Sequence, residues 1–557
     1  LKQSEDGHLP LDIFLNIAVQ LADALTLIHY QQVIHKDLHP GNILYSPESG
    51  LTQICDFGLA SLLSREQPVL QAPERLEGVL AYISPEQTGR MNRALDYRSD
   101  FYTLGCTFYH LLTGEPPFQA RDALGLVHAH MAKSPRPLSD LRAELPPALS
   151  AIVDKLLMKT AEDRYQSALG LKKDLEKIHL AVASNKPVPE FPLGMEDISD
   201  RLQIPQKLYG REKEVELLLQ RFFQAAGGKP QLLAIAGYSG IGKSALVHEV
   251  HKPIATYSGF FCAGKFDQFQ KNIPYSALQT ALKSWIQYAL SLPEAQLQVK
   301  KTRLIEALDA NARVLIDFMP EFEWVLGELP PVAKLGADET QNRFHLVFQN
   351  FIREMTRDHP LVLFIDDIQW ADRGTLNLLP QLMTEDRCRL LVIVAYRDNE
   401  VDVHHPAMQT LNRIEQSELT ASALSTITLG PLAEPEVACL LGDALHRPQQ
   451  ELLPLVALIQ AKTAGNPFFI SEFLKTLYTE KLLNFDLAAQ RWRWTISDID
   501  AKGITDNVVD LMLDKMAQLP ENTQAMIQLA ACVGSRFNLE MLAKVAEKPL
   551  TEVTRCL

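Results

Sequence analysis

The stretch Gly237-Tyr238-Ser239-Gly240-Ile241-Gly242-Lys243-Ser244 constrains this chain more than any other. Glycines, a lysine and a hydroxyl stand at the spacing G-x-x-x-x-G-K-[ST], a loop whose backbone N–H groups turn inward around a polyphosphate. The flanks suit that geometry. Residues 231–236 form an apolar run of strand length, and residues 245–250 continue as a helix. A helix N-terminus after the loop adds positive potential where phosphates lie. The pattern assigns phosphate contact to Gly237, Gly240, Gly242 and Lys243, and sets the Ser244 hydroxyl on Mg²⁺. It implies a parallel α/β sheet carrying a nucleoside triphosphate, with ATP and Mg²⁺ as the expected ligands.

A second run completes that site. Residues 361–365 are five apolar residues, followed by Asp366 and Asp367, which reads as a buried parallel strand with two carboxylates at its C-terminal end. Asp366 is expected to orient Mg²⁺ through its water shell, and Asp367 to position or polarise the attacking water. A further strand, 390–395, ends in Tyr396-Arg397-Asp398-Asn399-Glu400. An arginine at that tip can sense the γ-phosphate, or it can pair with Asp398 or Glu400 as a surface ion pair of little consequence.

At 557 residues the chain is too long for one core, and roughly three or four units are expected. A net charge of −14 argues against a protein that coats nucleic acid. Seven scattered cysteines without a C-x-x-C pair look like reduced thiols in a cytoplasmic protein. No apolar run approaches the ~18 residues that span a bilayer, so no membrane span is expected. The chain opens on Leu1 and stops in a helical pattern, which reads as a piece of a longer polypeptide.

Residues 33–44 contain His35-Lys36-Asp37-Leu38-His39-Pro40-Gly41-Asn42. An Asp followed five residues later by an Asn, then Asp56-Phe57-Gly58, is the spacing of a catalytic loop and its metal-binding partner. Ser84-Pro85-Glu86, Asp100-Phe101-Tyr102-Thr103-Leu104-Gly105 and Arg164 follow in order. Together these motifs resemble the C-terminal lobe of a eukaryotic-type serine/threonine protein kinase, over residues 1–180. The resemblance implies that Asp37 accepts the substrate hydroxyl's proton and that Asn42 and Asp56 hold metal. It implies further that Asp100 braces the loop and that Arg164 pairs with Glu86. Lys36, His39 and Val79 depart from the usual arginine, lysine and threonine, and the glycine-rich loop and strand lysine belong upstream of this region. This fragment alone is therefore not expected to phosphorylate.

Residues 181–203, rich in proline, read as a semi-stiff linker. Leu208-Tyr209-Gly210-Arg211-Glu212 opens a helix over 214–223, and Gly465-Asn466-Pro467 lies in a helical stretch. With the two acidic and glycine motifs, these resemble the STAND branch of AAA-like ATPases. That resemblance implies an ATPase domain over 204–430, a helical subdomain over 431–500 whose Pro467 lies against the base, and the start of a winged helix over 501–557. Residues 482–485 and 491–496 read as paired strands, and 507–518 and 521–533 as helices. An amphipathic helix is expected over 276–291. His128, His130, His404 and His405 read as surface histidines.

The fold expected is thus multidomain, α+β then α/β. A kinase joined to such an ATPase resembles large bacterial signalling proteins that continue into GAF and histidine-kinase modules. The implied function is ATP-dependent signalling toward a protein substrate or regulatory partner, with self-association through the ATPase module. A pseudokinase scaffold and an ATP-switch transcriptional regulator are the rival readings.

Overall fold

The first helical period in the chain becomes the helix Leu11–Tyr30, which buries Phe14, Ile17, Leu21 and Leu25. The computed structural model describes residues 7–63, 78–88, 95–120, 123–197, 201–257, 259–268, 274–290, 292, 294–384, 387–486, 489, 491–501, 513, 516, 517, 519–533 and 538–556. The chain divides into two compact units, Leu1–Arg201 with His251–Ser258, and Leu202–Val250 with Gly259–Leu557.

In the first unit the helices Leu11–Tyr30, Arg98–Thr113, Pro147–Leu156 and Ala168–Ala183 enclose one apolar core. Four short strands lie beside it: β1 (Val33–Ile34) pairs with β4 (Ser61–Leu62), and β2 (Ile43–Tyr45) with β3 (Thr52–Ile54), both antiparallel. Two sequence expectations change here. The helix Leu11–Tyr30 is, by length and composition, apolar enough to cross a membrane, because its few polar residues dilute a run of mean hydropathy 1.7. Its apolar face is part of this core. His130 is fully buried, not superficial: its Nδ1 meets the Tyr102 hydroxyl at 3.1 Å, and the Phe118 ring packs edge-on at 5.0 Å.

The proline-rich stretch also departs from a bare linker. Val188, Phe191 and Leu193 pack on the core. The Asp197 carboxylate accepts from the Gln166 N–H (2.8 Å), the Ser167 N–H (2.7 Å) and the Ser167 hydroxyl (2.9 Å). Gly170 makes the approach possible, since a Cβ there would lie 2.5 Å from the Asp197 carboxylate. Apolar side chains between the prolines, and a carboxylate meeting a helix start, convert the segment into a strap.

The second unit is built on a parallel sheet. Its strands are β5 (Gln231–Ala236), β6 (Phe260–Lys265), β7 (Leu361–Asp366), β8 (Leu390–Tyr396) and β9 (Leu424–Thr428), in the order β6-β7-β8-β5-β9. Every residue of β5 and β8 is buried, as unbroken apolar runs covered on both faces should be. The helix Glu212–Ala226 runs beyond the expected 214–223, and the helix Ser276–Leu290 closely follows its predicted amphipathic run.

After β9 a separate apolar cluster gathers the helices Glu434–Leu445, Gln449–Thr463 and Pro467–Thr479 with Tyr209 and Trp492. The hairpin of β10 (Leu483–Asp486) and β11 (Arg491–Trp494) is antiparallel. Beyond it, the helices Glu521–Val533, Leu539–Val545 and Leu550–Cys556 share a small core of Met526, Ala530, Leu542, Ala543 and Val553. The helix expected over 507–518 falls mostly outside the described residues.

Candidate nucleotide and catalytic sites

In the first unit the motif around Asp37 is held from below by one buried carboxylate. Asp100, wholly buried in the helix Arg98–Thr113, accepts from the backbone N–H of His35 (2.9 Å) and of Lys36 (2.8 Å), and meets His29 Nε2 at 2.9 Å. Gln87 Nε2 donates to the Lys36 carbonyl at 2.7 Å, and the Thr107 hydroxyl to the Leu38 carbonyl at 2.9 Å. Lys36 takes φ 70°, a left-handed turn that needs such over-determination in a non-glycine residue. Beneath it Arg164 grips Glu86 through two bonds, 2.6 and 2.9 Å, with both side chains buried. That geometry is the strong, bidentate form of the charge-assisted bond.

Asp37 itself is ringed by donors. The Val79 N–H meets its Oδ1 at 3.1 Å, Asn42 Nδ2 meets its Oδ2 at 3.3 Å, and His39 Nε2 stands 3.6 Å from the same oxygen. The absent threonine hydroxyl at position 79 is thus replaced by that residue's own backbone. His39 Nδ1 accepts from the Gly41 N–H at 3.1 Å, which leaves the proton on Nε2, facing the carboxylate. Asn42 Nδ2 also donates to the Asp37 carbonyl at 2.9 Å, so its amide nitrogen is committed and its oxygen is the atom left for a hard cation. Asp56, exposed at φ 62°, accepts, among the described residues, a short-range bond from the Gly58 N–H at 3.1 Å and keeps carboxylate oxygen to offer. An oxygen-only donor pair of this kind fits Mg²⁺.

In the second unit the glycine loop follows β5 and the carboxylates follow β7, with β8 between them. Two strand spacings, about 10 Å, separate the loop from the acids, room for a phosphate and a cation. Gly237, Gly240 and Gly242 all have positive φ, 151°, 76° and 102°, which is why glycine stands at each. Lys243 is buried and its Nζ donates to the carbonyls of Gly237 (2.6 Å) and Tyr238 (2.9 Å). Burial holds its pKa below the ordinary lysine value, an effect that the nearby Asp366 and Asp367 oppose without cancelling. Ser244 follows it in the first turn of the helix Lys243–His248.

Asp366 is half-buried and Asp367 only 2% exposed. Lys265, the last residue of β6 and the register partner of Asp366, bridges both, at 3.2 Å to Asp366 and 2.8 Å to Asp367. Arg397, at the tip of β8, lies 3.4 Å from Asp367 and 2.6 Å from Glu400, with its guanidinium over the Trp370 ring. Of the two sequence readings of Arg397, the geometry shows the ion pair, with Glu400; the guanidinium also faces the inner carboxylate, Asp367. Lys265 was not singled out from the sequence. Its signal is positional, a lysine ending a strand that pairs in register with the acidic one.

The element at 465–467 touches the loop directly. Asn466 Nδ2 donates to the Ser239 carbonyl at 2.9 Å, and the Phe468 N–H to the Gly240 carbonyl at 3.3 Å. Asn466 Oδ1 meanwhile caps the helix Pro467–Thr479 through the Phe468 N–H at 3.1 Å, and Pro467 occupies its first turn. The Leu208–Glu212 segment is fixed nearby: the Tyr209 hydroxyl donates to Asp443 at 2.9 Å, and Arg211 donates to the Gly430 carbonyl. The oxygens of Ser244 and Asp366 beside Lys243 make a donor set suited to Mg²⁺ with a polyphosphate. Among the described residues, no cluster of three or more His, Cys, Asp or Glu forms a protein-only metal cage.

Comparison with known proteins agrees with this division. Residues 2–174 match the protein kinase domain family, and residues 207–394 match the AAA ATPase domain family. The chain is 34% identical over 551 residues to hybrid signal transduction histidine kinase G of Dictyostelium discoideum, an alignment covering 84% of this chain and 16% of that protein. Its first third is 34% identical over 182 residues to the serine/threonine-protein kinase PknB of Mycolicibacterium smegmatis, and 34% identical over 192 residues to PknB of Mycobacterium leprae. The chain spans 29% of the length of each of those kinases. The chain joins a protein kinase domain to an AAA ATPase domain, both of which imply use of ATP.

Proposed function

We propose that this chain is part of a cytoplasmic signalling protein in which a STAND-type ATPase acts as an ATP-dependent switch for a serine/threonine kinase. The observation that carries the reading is the hydrogen bond from Asn466 to the Ser239 carbonyl. It ties the helical subdomain to the loop on which a γ-phosphate would act, so nucleotide state at the loop biases the position of the helices. Gly237, Gly240, Gly242 and Lys243 cradle the phosphates, Ser244 and Asp366 hold Mg²⁺, and Pro467 lies beside the base. Asp367 receives the proton of the attacking water, and Arg397 senses the γ-phosphate. In the kinase domain Asp37 accepts the proton of the substrate hydroxyl, with Asn42 and Asp56 on Mg²⁺. The metal, when bound, neutralises phosphate charge and aligns the transferred group.

The three helices after residue 520 open a winged-helix unit, and self-association occurs through the ATPase domain. Similarity to the Dictyostelium hybrid signal transduction histidine kinase supports a histidine-kinase module elsewhere in the complete polypeptide. The donors around Asp37 favour an active kinase over a docking pseudokinase, because the backbone of Val79 supplies the bond that a threonine side chain would make.

The test is hydrogen exchange across residues 431–500 with Mg·ATP and with Mg·ADP. Slower exchange in the helix Pro467–Thr479 with ATP than with ADP is expected. Equal exchange, in a chain that binds both nucleotides, would reject the switch. For the kinase, Asp56→Ala should abolish phosphate transfer to a generic protein substrate by the complete polypeptide, and undiminished transfer would remove Asp56 from the metal site.

A further inference from the structure

Gln369 lies on the short helical turn Ile368–Trp370 after the acidic strand and is 5% exposed. Its Nε2 donates to Asp367 Oδ1 at 2.9 Å and to Glu400 Oε2 at 3.3 Å. Both partners are carboxylate oxygens, which only accept, so the amide cannot be turned round without setting its carbonyl against two negative charges. The orientation is therefore fixed by chemistry, and Oε1 is the atom left over. That oxygen is buried and, among the described residues, has no hydrogen-bond partner. An orphaned buried acceptor has lost its water without gaining a partner, and such a group calls for an explanation.

The surroundings supply one. Gln369 shares Asp367 with Arg397, and shares Glu400 with it too, so the amide sits in the same charge cluster as the inner carboxylate of the ATPase site. Gln369 anchors its nitrogen and presents an unspent acceptor beside the carboxylate that takes the proton. We propose that Gln369 positions the attacking water: Oε1 accepts one of its hydrogens while Asp367 accepts the other. The inference rests on the ATPase reading given above. In the step itself the water oxygen's lone pair forms the bond to the γ-phosphorus as the bond to the β,γ-bridging oxygen breaks. That bonding pair leaves with ADP, and the water's proton passes to Asp367. Gln369 gives and takes no proton.

The experiment compares wild type with Gln369→Leu in the whole chain. It measures single-turnover ATP hydrolysis, the affinity for a slowly hydrolysed ATP analogue, and retention of ADP with aluminium fluoride, whose trapped complex includes the in-line water. Expected is a loss of hydrolysis of about a hundredfold, analogue affinity within about twofold of wild type, and loss of the fluoride complex. Wild-type hydrolysis in the variant overturns the proposal. So does a matching loss of analogue affinity, which would make Gln369 a structural support. Gln369→Asn, whose shorter arm keeps the amide, serves if the leucine variant does not fold, with the same split between hydrolysis and affinity expected in milder form. Absence of turnover in wild type would defeat the ATPase reading itself, whereas turnover in wild type and variant alike defeats only the role of Gln369.

Discussion

The two phosphate sites in this chain are built on opposite plans. In the kinase domain Asp37, the proposed proton acceptor, sits on a loop fixed by buried groups: a wholly buried Asp100, two backbone N–H donors and the enclosed Arg164–Glu86 pair. In the ATPase domain each cation is shared between partners. Lys243 folds onto its own loop carbonyls, Lys265 keeps 57% of its side chain exposed while it bridges two acids, and Arg397 divides itself between two carboxylates. A site that only transfers a phosphate gains from a rigid scaffold. On the proposed switch reading, a site that also reports whether a phosphate is present gains from cations with two partners at hand.

The comparison breaks most visibly at Arg164. Arg164→Met leaves Glu86 buried and uncompensated, which should cost the first unit about 3–5 kcal/mol, read in denaturant unfolding of that unit. Nucleotide affinity in the second unit should stay unchanged. An equal loss in both would show that the rigid scaffold is not confined to the kinase domain. Asp367→Asn should slow ATP hydrolysis by about a hundredfold or more, the usual share of a positioned base. Nucleotide affinity should change far less, as measured by single turnover against equilibrium binding.

Asn466→Ala removes a helix cap and the bond to the loop together. The cap alone is worth about 0.5–2 kcal/mol, and this variant should also erase the difference in hydrogen exchange between ATP and ADP. The smallest effect concerns pH. Burial, with the Lys159 charge second, pulls His130 down to about 3. The unfolded chain then takes up that proton first, so the first unit is fully stable above about pH 6.5 and loses stability as pH falls from there toward 3. Between pH 7 and 6 the loss amounts to roughly 0.7 kcal/mol, and His130→Phe should flatten that slope in thermal melts.

The glycine loop and the acidic strand were legible in the sequence because each couples a local pattern to an obligatory geometry. Glycines mark positive φ, and an apolar run ending in acids marks the C-terminal end of a buried parallel strand. The kinase loop was legible through its resemblance to a known family, and Asp100 and Arg164 take up the bonds that the resemblance implied. What stayed hidden depends on contacts across long stretches of chain. Lys265 meets Asp366 only through strand register, and Gln369 acquires its meaning from Glu400, 31 residues away. His130 looked superficial because a lone histidine carries no sign of its burial. The strap over 188–197 was masked by its prolines, which mark irregular backbone but say nothing about whether the side chains between them pack.

The central claim is that Lys243 belongs to a working nucleotide site whose neighbours can rearrange around a phosphate. Titrating Mg·ATP into the whole chain by calorimetry, for wild type and Lys243→Ala, tests it most directly. The account predicts a saturable site in wild type and at least a hundredfold weaker binding in the variant, equivalent to about 2.7 kcal/mol. Undiminished binding in Lys243→Ala, or no binding in wild type, would contradict it.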